Sequence, residues 1–531
     1  MLNSIGTPLF RLRTVLPVLL FTLFAVSCSD DEGNPNGEPS GTDVIRNQFL
    51  SLNPSGFSPL SAIIELETSE EVRVSMRIRG RNGSESDFVH EFPSIGTQLT
   101  LPIHGLYADH LNLVDLTLYN RSGENLGTER FEIQTEPLIG VMPDIVIEES
   151  KRNDMADGMT LVSYFGHNGA TFPQRPFIFD SYGEIRWYLD FNASPELGAL
   201  FYDDGVERLS NGNFYFGSGG DSFGVSGEIN KIYEVDLFGN TINTWDMPGY
   251  SFHHEVHEKP NGNFLVTVSK MGVSTIEDFI IEIERTSKDI INVWDLNLAL
   301  QNTRTSWTND PVDWFHANAV LFDERDNTII VSGRTQGLVK LDSNNEVIWI
   351  LAPHRDWGMS GNGVDLSSKL LQPLDSDGQL ITDNQVLEGI VNHPDFEWSW
   401  YQHAPLITPE GNIMLFDNGD NRNYVSSGPY SRAVEYRIDE TNKTIQQVWQ
   451  YGKERGEETY SRIVSDVDFL ENEDHVIFSP GAIIDQGGIF GKSIEIDYNS
   501  RSVLFEATII PPVAFFDIIT FHRTERISLY P

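Results

Sequence analysis

A repeated unit of two short hairpins runs through the chain after Pro143 and constrains its fold more than any other feature. The first hairpin has an apolar strand ending in an acidic residue, a polar turn, and a strand that closes on an aromatic residue. Six copies align, at residues 177–187, 232–245, 279–294, 337–349, 432–449 and 492–505. Second hairpins lie between them, with turns at residues 211–213, 261–263, 326–327, 410–412 and 473–475. Two hairpins make a four-stranded sheet, and six such sheets at roughly 50-residue spacing can bury their faces against one another only in a ring. The sequence therefore predicts an all-β chain containing a six-bladed β-propeller.

The repeat does not cover the whole chain. Residues 47–135 show short alternating strands separated by Ser, Gly and Asn turns, a pattern typical of a small β-sandwich. We therefore expect an N-terminal β-sandwich domain at residues 45–140 and the propeller domain at residues 141–531. One interval of the repeat contains an extra stretch, residues 352–397, which we expect to form a lid or rim element on one face.

The N-terminus has the features of an export signal. Arg11 and Arg13 precede an apolar run at residues 15–26, which is short for a transmembrane helix. The sequence Ala25-Val26-Ser27-Cys28 resembles a lipobox, so we expect a lipoprotein signal peptide at residues 1–28 and lipidation of Cys28. Residues 29–44 are polar up to Val44 and are expected to form a flexible tether. The protein would then be exported and lipid-anchored in the periplasm or at the cell surface; the alternative is an ordinary signal peptide in which this single cysteine is incidental.

The charge of the chain restricts its partners. With a formal net charge of −42, it is a poor partner for nucleic acid. An anionic substrate would require positive charge concentrated in a pocket. The sequence leaves the oligomeric state open, a homodimer included.

Histidines occupy one position of the repeat. Counting back nine residues from the Asn of each second turn gives Asp204, His254 and His403, while slightly longer loops give His316 and Ser465. In a propeller this position lies at the mouth of the axial channel, where residues remote in sequence converge. Three interpretations remain: buried core histidines, a metal site that includes the string at residues 253–257, or catalysis on an anion. Arg334 favours the third, because a guanidinium can bind a tetrahedral anion through two hydrogen bonds.

The segments around these histidines carry a family resemblance. Residues 313–319 followed by Arg334, residues 401–405 and 260–263, and the plan of a β-sandwich before a propeller resemble the bacterial aryl-sulfate sulfotransferases. The resemblance covers nearly the whole chain after the signal. It implies PAPS-independent transfer of a sulfuryl group from an aryl sulfate donor to a phenolic acceptor, in two displacements through a sulfohistidine.

The resemblance also implies roles for individual residues. His403 matches the nucleophile; His254, His316, Asn318 and Arg334 match groups around the sulfate; and Ser465 falls where the family has a hydroxyl residue. No cofactor and no metal are expected. Three aromatic residues are expected to form walls for aryl rings: Trp314, Phe315 and Tyr401. Two other functions stay open, a surface propeller that only binds glycans or proteins, and a hydrolase in which water intercepts the same intermediate.

Overall fold

The computed structural model describes residues 43–140, 142–166, 176–191, 206–218, 230–306, 310–425, 430–485, 487–512 and 519–530. These residues are almost entirely β-structure, which confirms the predicted all-β class. Cys28, most of the predicted tether and Asp204 lie outside the described residues. Among the described residues, no helix has the length and apolar character required to cross a membrane.

Five strands form the N-terminal part: β1 (Ile45–Leu52), β2 (Ser61–Ile78), β3 (Phe88–His104), β4 (Leu111–Asn120) and β5 (Asn125–Gln134). Where the sequence predicted a β-sandwich, hydrogen bonds join these strands in one sheet. The long strand β2 pairs with β3 along one edge, and with β1 and then β4 along the other. Its apolar residues alternate with polar ones and are buried, as expected for a sheet with one face on a core.

The remaining strands make six further sheets in the described part of the chain. The strands up to the middle of the chain are β6 (Asp144–Ser150), β7 (Met159–Gly166), β8 (Phe177–Phe179), β9 (Ile185–Tyr188), β10 (Glu207–Arg208), β11 (Phe214–Ser218), β12 (Lys231–Val235), β13 (Thr241–Asp246), β14 (Tyr250–Glu258), β15 (Phe264–Lys270), β16 (Phe279–Ile283) and β17 (Ile290–Asp295). They are followed by β18 (Ala317–Asp323), β19 (Thr328–Gly333), β20 (Gly337–Leu341), β21 (Val347–Leu351), β22 (Gln372–Leu374), β23 (His403–Ile407), β24 (Ile413–Asp417), β25 (Arg432–Asp439), β26 (Thr444–Tyr451), β27 (Asp466–Leu470), β28 (His475–Ser479), β29 (Ile483–Asp485), β30 (Gly488–Asp497), β31 (Val503–Ile510) and β32 (Ile519–Ile527). The helical segments described are short: α1 (Leu296–Ala299), α2 (Asn384–Leu387) and 3-10 turns at Ser84–Ser86, Leu366–Lys369, Arg422–Tyr424 and Lys453–Thr459.

Each of these sheets is an antiparallel meander. Their strand orders are β32-β7-β8-β9, β10-β11-β12-β13, β14-β15-β16-β17, β18-β19-β20-β21, β23-β24-β25-β26 and β27-β28-β30-β31, with β22, β6 and β29 added at edges. All six hairpins predicted from the first repeat are paired strands. Two sheets combine strands from opposite ends of this region, because β32 pairs with β7 and β6 pairs with β31.

The aromatic residue that closes each hairpin links its sheet to the next one. Five closing tryptophans each donate the indole N–H to an oxygen in the first-hairpin turn of the following sheet, at 2.7–2.9 Å: Trp187 to Leu237 O, Trp245 to Arg285 O, Trp294 to Asp342 O, Trp349 to Glu440 Oε1 and Trp449 to Tyr498 O. Shared apolar cores lie between consecutive sheets. A large apolar ring with one polar N–H suits such a joint, because it fills the core while its donor stays satisfied. The closing aromatic of the sequence repeat is thus an inter-sheet contact.

The prediction for residues 352–397 needs correction. We expected a lid or rim element, but β22 pairs in parallel with β26 and extends the outer edge of that sheet. Leu366 and Leu370 pack into the core between the two preceding sheets, β14–β17 and β18–β21, and Leu371 and Phe396 pack into the core that includes Ile445 of β26. These side chains are apolar, so burying them at the outer edge is favourable, and the segment is part of the scaffold there.

Candidate active site

The predicted histidine position coincides with an irregularity in the first strand of several sheets. The pairing register shifts between Phe252 and Val256 in β14, between Ala317 and Ala319 in β18, between His403 and Leu406 in β23, and between Phe521 and Arg523 in β32. Such bulges bend a strand and re-aim its side chains. The bulges therefore turn residues of four strands away from the regular pleat.

Backbone strain occurs at the same place, as well as in turns elsewhere. Left-handed φ values occur at His254 (65°), His316 (57°), Tyr401 (60°), Ala404 (47°) and Ser465 (86°). None of these residues is a glycine, so each conformation costs free energy that the surrounding structure must supply. Strain of this kind clusters at functional sites.

The three predicted histidines lie together. The Nε2 atoms of His254 and His316 are 3.2 Å apart, and the ring centroids of His254 and His403 are 6.2 Å apart. All three side chains are buried. Burial, reinforced by neighbouring imidazoles, holds the pKa of His254 well below its ordinary value.

A fourth histidine belongs to the cluster. His522 of β32 stacks on His254 with centroids 5.5 Å apart, and its Nε2 lies 3.4 Å from His254 Nδ1. Burial lowers the pKa of His522 to about 4. Sequence reasoning missed it because β32 is the last strand of the chain yet completes the sheet of β7. An alignment that joins the last strand of the chain to the first sheet of the repeat would have placed His522 beside the other histidines.

The ring orientation of His403 is set by Asn418, a residue that the sequence did not single out. His403 Nδ1 lies 2.7 Å from Asn418 Oδ1, while Asn418 Nδ2 donates to the carbonyl oxygens of Ser461 and Val464, both at 2.9 Å. Because the amide nitrogen of Asn418 is used in this way, its oxygen must accept, and His403 Nδ1 carries the proton. Burial holds the pKa of His403 well below its ordinary value, Arg334 lowers it further, and the bond to Asn418 opposes these effects. His403 is therefore a neutral imidazole whose lone pair is on Nε2.

His316 is flanked by two carboxylates. Its Nδ1 lies 2.8 Å from Asp313 Oδ2 and 2.6 Å from Glu277 Oε2, and Glu277 Oε1 lies 3.0 Å from His253 Nε2. The nitrogen atoms of His253, His254 and His316 also lie within 4.8 Å of one another, a spacing that a metal ion could use. Two of these three histidines face the Glu277 carboxylate, so the described contacts form an imidazole–carboxylate network.

Arg334 brings a guanidinium to the histidine cluster. It stacks over the Tyr401 ring at 4.6 Å, and its backbone N–H donates to His316 O at 3.0 Å. Its Nη2 is 3.7 Å from Asp313 Oδ2, longer than a hydrogen bond, and its Nε has no hydrogen-bond partner among the described residues. The preceding residue must be small, because a side chain on Gly333 would collide with the Phe315 ring. Arg334 thus retains donors for an anion.

The other predicted residues have different places. Asn318 donates to Gln402 O at 2.8 Å, and its Oδ1 has no hydrogen-bond partner in the described structure. Ser465 Oγ donates to Ser461 Oγ at 2.8 Å and accepts from Gly481 N at 3.0 Å. Tyr401 supports Arg334. Trp314, expected as a wall for aryl rings, is 3% exposed, packs in the core and donates to Asp278 Oδ2 at 2.8 Å.

Beyond the histidines, the first strands of the six sheets line a cavity of about 470 Å³ that is strongly acidic. Its lining carboxylates are those of Glu207, Glu255, Glu258, Glu324, Asp466, Asp468 and Glu525, against the guanidinium groups of Arg208 and Arg523. Burial raises the pKa of Asp468 to about 7, and burial with the nearby Asp468 charge raises that of Glu525 to about 8. Carboxylates that already resist ionisation would disfavour a sulfate ester. An anion is therefore favoured at Arg334, which does not line this cavity.

Comparison with known proteins identifies the family that this chain resembles, independently of the site geometry. A family model described as Arylsulfotransferase (ASST) matches residues 145–511, and a second, the Arylsulfotransferase Ig-like domain, matches residues 49–136. An arylsulfate sulfotransferase AssT of Lelliottia amnigena is 30% identical over 556 residues, covering 87% of this chain and 90% of that protein. An arylsulfate sulfotransferase AssT of Escherichia coli O6:H1 is 28% identical over 553 residues, covering 86% of this chain and 89% of that protein.

Proposed function

Because the chain belongs to the arylsulfotransferase family of enzymes, we propose that it transfers a sulfuryl group from an aryl sulfate to a phenol, with His403 as the nucleophile. The observation that carries the proposal is the state of His403: a buried, neutral imidazole whose Nδ1–H is held by Asn418. This leaves its Nε2 lone pair beside Arg334 and the His254–His316 pair, the groups expected to bind and protonate a sulfate ester.

The reaction divides into two displacements. In the first, the Nε2 lone pair of His403 forms an N–S bond as the S–O bond to the aryl group breaks, and the departing phenolate takes the additional proton that the His254–His316 pair holds beyond one on each ring. In the second, this pair takes the proton of the incoming phenol, whose oxygen attacks sulfur as the N–S bond breaks. Charge stays on the sulfuryl oxygens throughout, so Arg334 can stabilise both transition states.

We further propose that the six sheets are the blades of a six-bladed β-propeller. The tryptophan bonds link five consecutive sheet pairs. Contacts also join the sixth sheet to the first, since Arg526 of β32 pairs with Glu495 of β30 and Ser479 Oγ of β28 hydrogen-bonds to Thr524 Oγ1 of β32. A closed ring would bring the histidine position of every blade to one end of the axis.

The proposed function is tested with para-nitrophenyl sulfate in the presence and absence of phenol. We expect para-nitrophenol release in turnover amounts only when phenol is present, with parallel lines in double-reciprocal plots, because the first phenol leaves before the second binds. Release that does not depend on phenol would indicate a hydrolase, and no release would indicate a binding protein.

The rate of para-nitrophenol release should be unchanged after treatment with EDTA. A loss of activity that zinc restores would instead support a metal site at His253, His254 and His316.

We also propose that the protein is exported and anchored to a membrane by lipid on Cys28. The support is the short apolar run after Arg11 and Arg13, the small residues before Cys28 and the polar stretch that follows. A Cys28→Ala variant should appear in the soluble fraction or as an unprocessed precursor when cells are fractionated and immunoblotted. Wild-type protein should resist a high-salt wash, which removes proteins held by charge alone. If the variant stays in the membrane fraction like the wild type, Cys28 is not the anchor.

A further inference from the structure

Glu277 lies in the loop two residues before β16, where several contacts fix its backbone. Its backbone has a left-handed φ of 56°, its N–H donates to Ser269 Oγ at 2.9 Å, and its carbonyl accepts from Ala317 N at 2.8 Å. The last contact ties it to the residue that follows His316. A strained non-glycine residue with these anchors presents its side chain in one orientation.

Both oxygens of this carboxylate face imidazoles. Oε1 lies 3.0 Å from His253 Nε2 and Oε2 lies 2.6 Å from His316 Nδ1, and the side chain is buried. Burial alone would raise the pKa of Glu277, but His253 and His316 hold it well below its ordinary value. A buried carboxylate that stays ionised requires proton donors around it, and the nitrogens that face it are those of the two histidines.

We propose that Glu277 is a positioning residue that keeps one proton on Nδ1 of His316, so that the additional proton of the His254–His316 pair is held between their Nε2 atoms and is exchanged with the phenol oxygen from Nε2 of His316. The inference rests on the proposed sulfuryl transfer and assigns the acid–base role within the His254–His316 pair. Asp313 Oδ2 accepts the hydrogen bond of His316 Nδ1 at 2.8 Å, whereas Glu277 Oε2 faces the same nitrogen at 2.6 Å without hydrogen-bond geometry. Asp313 is one-fifth exposed and lies near Arg334, so Glu277 is the buried one of the two carboxylates. The other charged or titratable groups described around His316 are His253, His254 and His403.

This role has a signature that a purely structural role lacks. Proton donation matters little when the departing phenolate is stable and matters greatly when it is basic. Losing the carboxylate should therefore affect donors according to the acidity of the phenol they release. A general loss of packing would slow all donors by the same factor.

The experiment compares Glu277→Gln with the wild type on para-nitrophenyl sulfate and on phenyl sulfate, each with the same acceptor. We expect kcat/KM to fall by about tenfold for the first donor and by at least about a hundredfold for the second. The sulfuryl adduct from para-nitrophenyl sulfate should still form, since His403 is intact. The matched control is Glu282→Gln. It removes another buried carboxylate, which lies on β16 and is paired with Lys259, and it should leave the ratio of kcat/KM between the two donors unchanged.

Equal losses for the two donors, or no loss, would overturn the role of Glu277 while the transferase function stands. If the wild type itself transfers no sulfuryl group, the proposed function fails first. Should Glu277→Gln not fold, Glu277→Asp keeps the charge and shortens the side chain. It should show a smaller loss that is again greater for phenyl sulfate, and a loss equal for both donors would count against the inference.

Discussion

A His403→Asn variant should neither accept a sulfuryl group nor transfer one. We expect kcat to fall by at least about 10⁴-fold, as for other enzymes that lose the nucleophile of a covalent intermediate. The measurement is intact mass after incubation with an aryl sulfate and no acceptor, at neutral or mildly alkaline pH because the N–S bond is labile in acid. Wild-type protein should gain one sulfuryl group, mapped to the peptide that contains His403, and the variant should gain none.

The matched control for this experiment is His257→Asn. His257 lies on the same strand as His254 but lines the acidic cavity, so its loss should leave the adduct and the rate nearly unchanged. His254 and His316 variants should slow labelling without abolishing it, because the nucleophile remains. An adduct that maps to a different residue, or normal transfer without His403, would show that the mechanism is wrong even if the activity is real.

Replacing Arg334 by Ala should lower kcat/KM by at least about 10²-fold with little change in melting temperature, the size of effect typical for one lost donor to a developing anion. The physical reason is that Arg334 approaches Asp313 only to 3.7 Å and keeps Nε without a partner among the described residues, so few structural contacts are lost. Arg334→Lys should recover part of the activity, because it keeps the charge but not the paired donors.

Arg325→Ala separates this effect from the loss of an arginine in general. Arg325 is paired with Asp323 at 2.7 Å in the turn between β18 and β19, at the opposite end of β18 from His316, so its loss should change stability without changing turnover. If Arg334→Ala instead unfolds at a much lower temperature and its activity falls only in proportion to the folded fraction, Arg334 is a structural ion pair.

Much of the site could be predicted because a repeat converts sequence spacing into spatial position. His254, His316 and His403 share one place in the repeat, and hairpins with the same turn chemistry put that place at equivalent points of their strands. The aromatic residue that closes each hairpin was visible too, although its bond to the next sheet was not. Sequence does not distinguish an aromatic ring in a core from one that lines a pocket, and Trp314, expected to line a pocket, packs in a core.

By itself, the sequence determined the all-β class, the strand pairs of the six repeats and the convergence of three histidines, since these depend on local alternation, turn residues and spacing. Only the tertiary structure decided which other groups complete the site. His522 reaches it through a strand from the far end of the chain, Asn418 selects the proton position on His403, and Glu277 faces His253 and His316 from the loop before β16. These contacts depend on bulges and on side-chain directions between strands distant in sequence, and no local pattern in the sequence encodes such geometry.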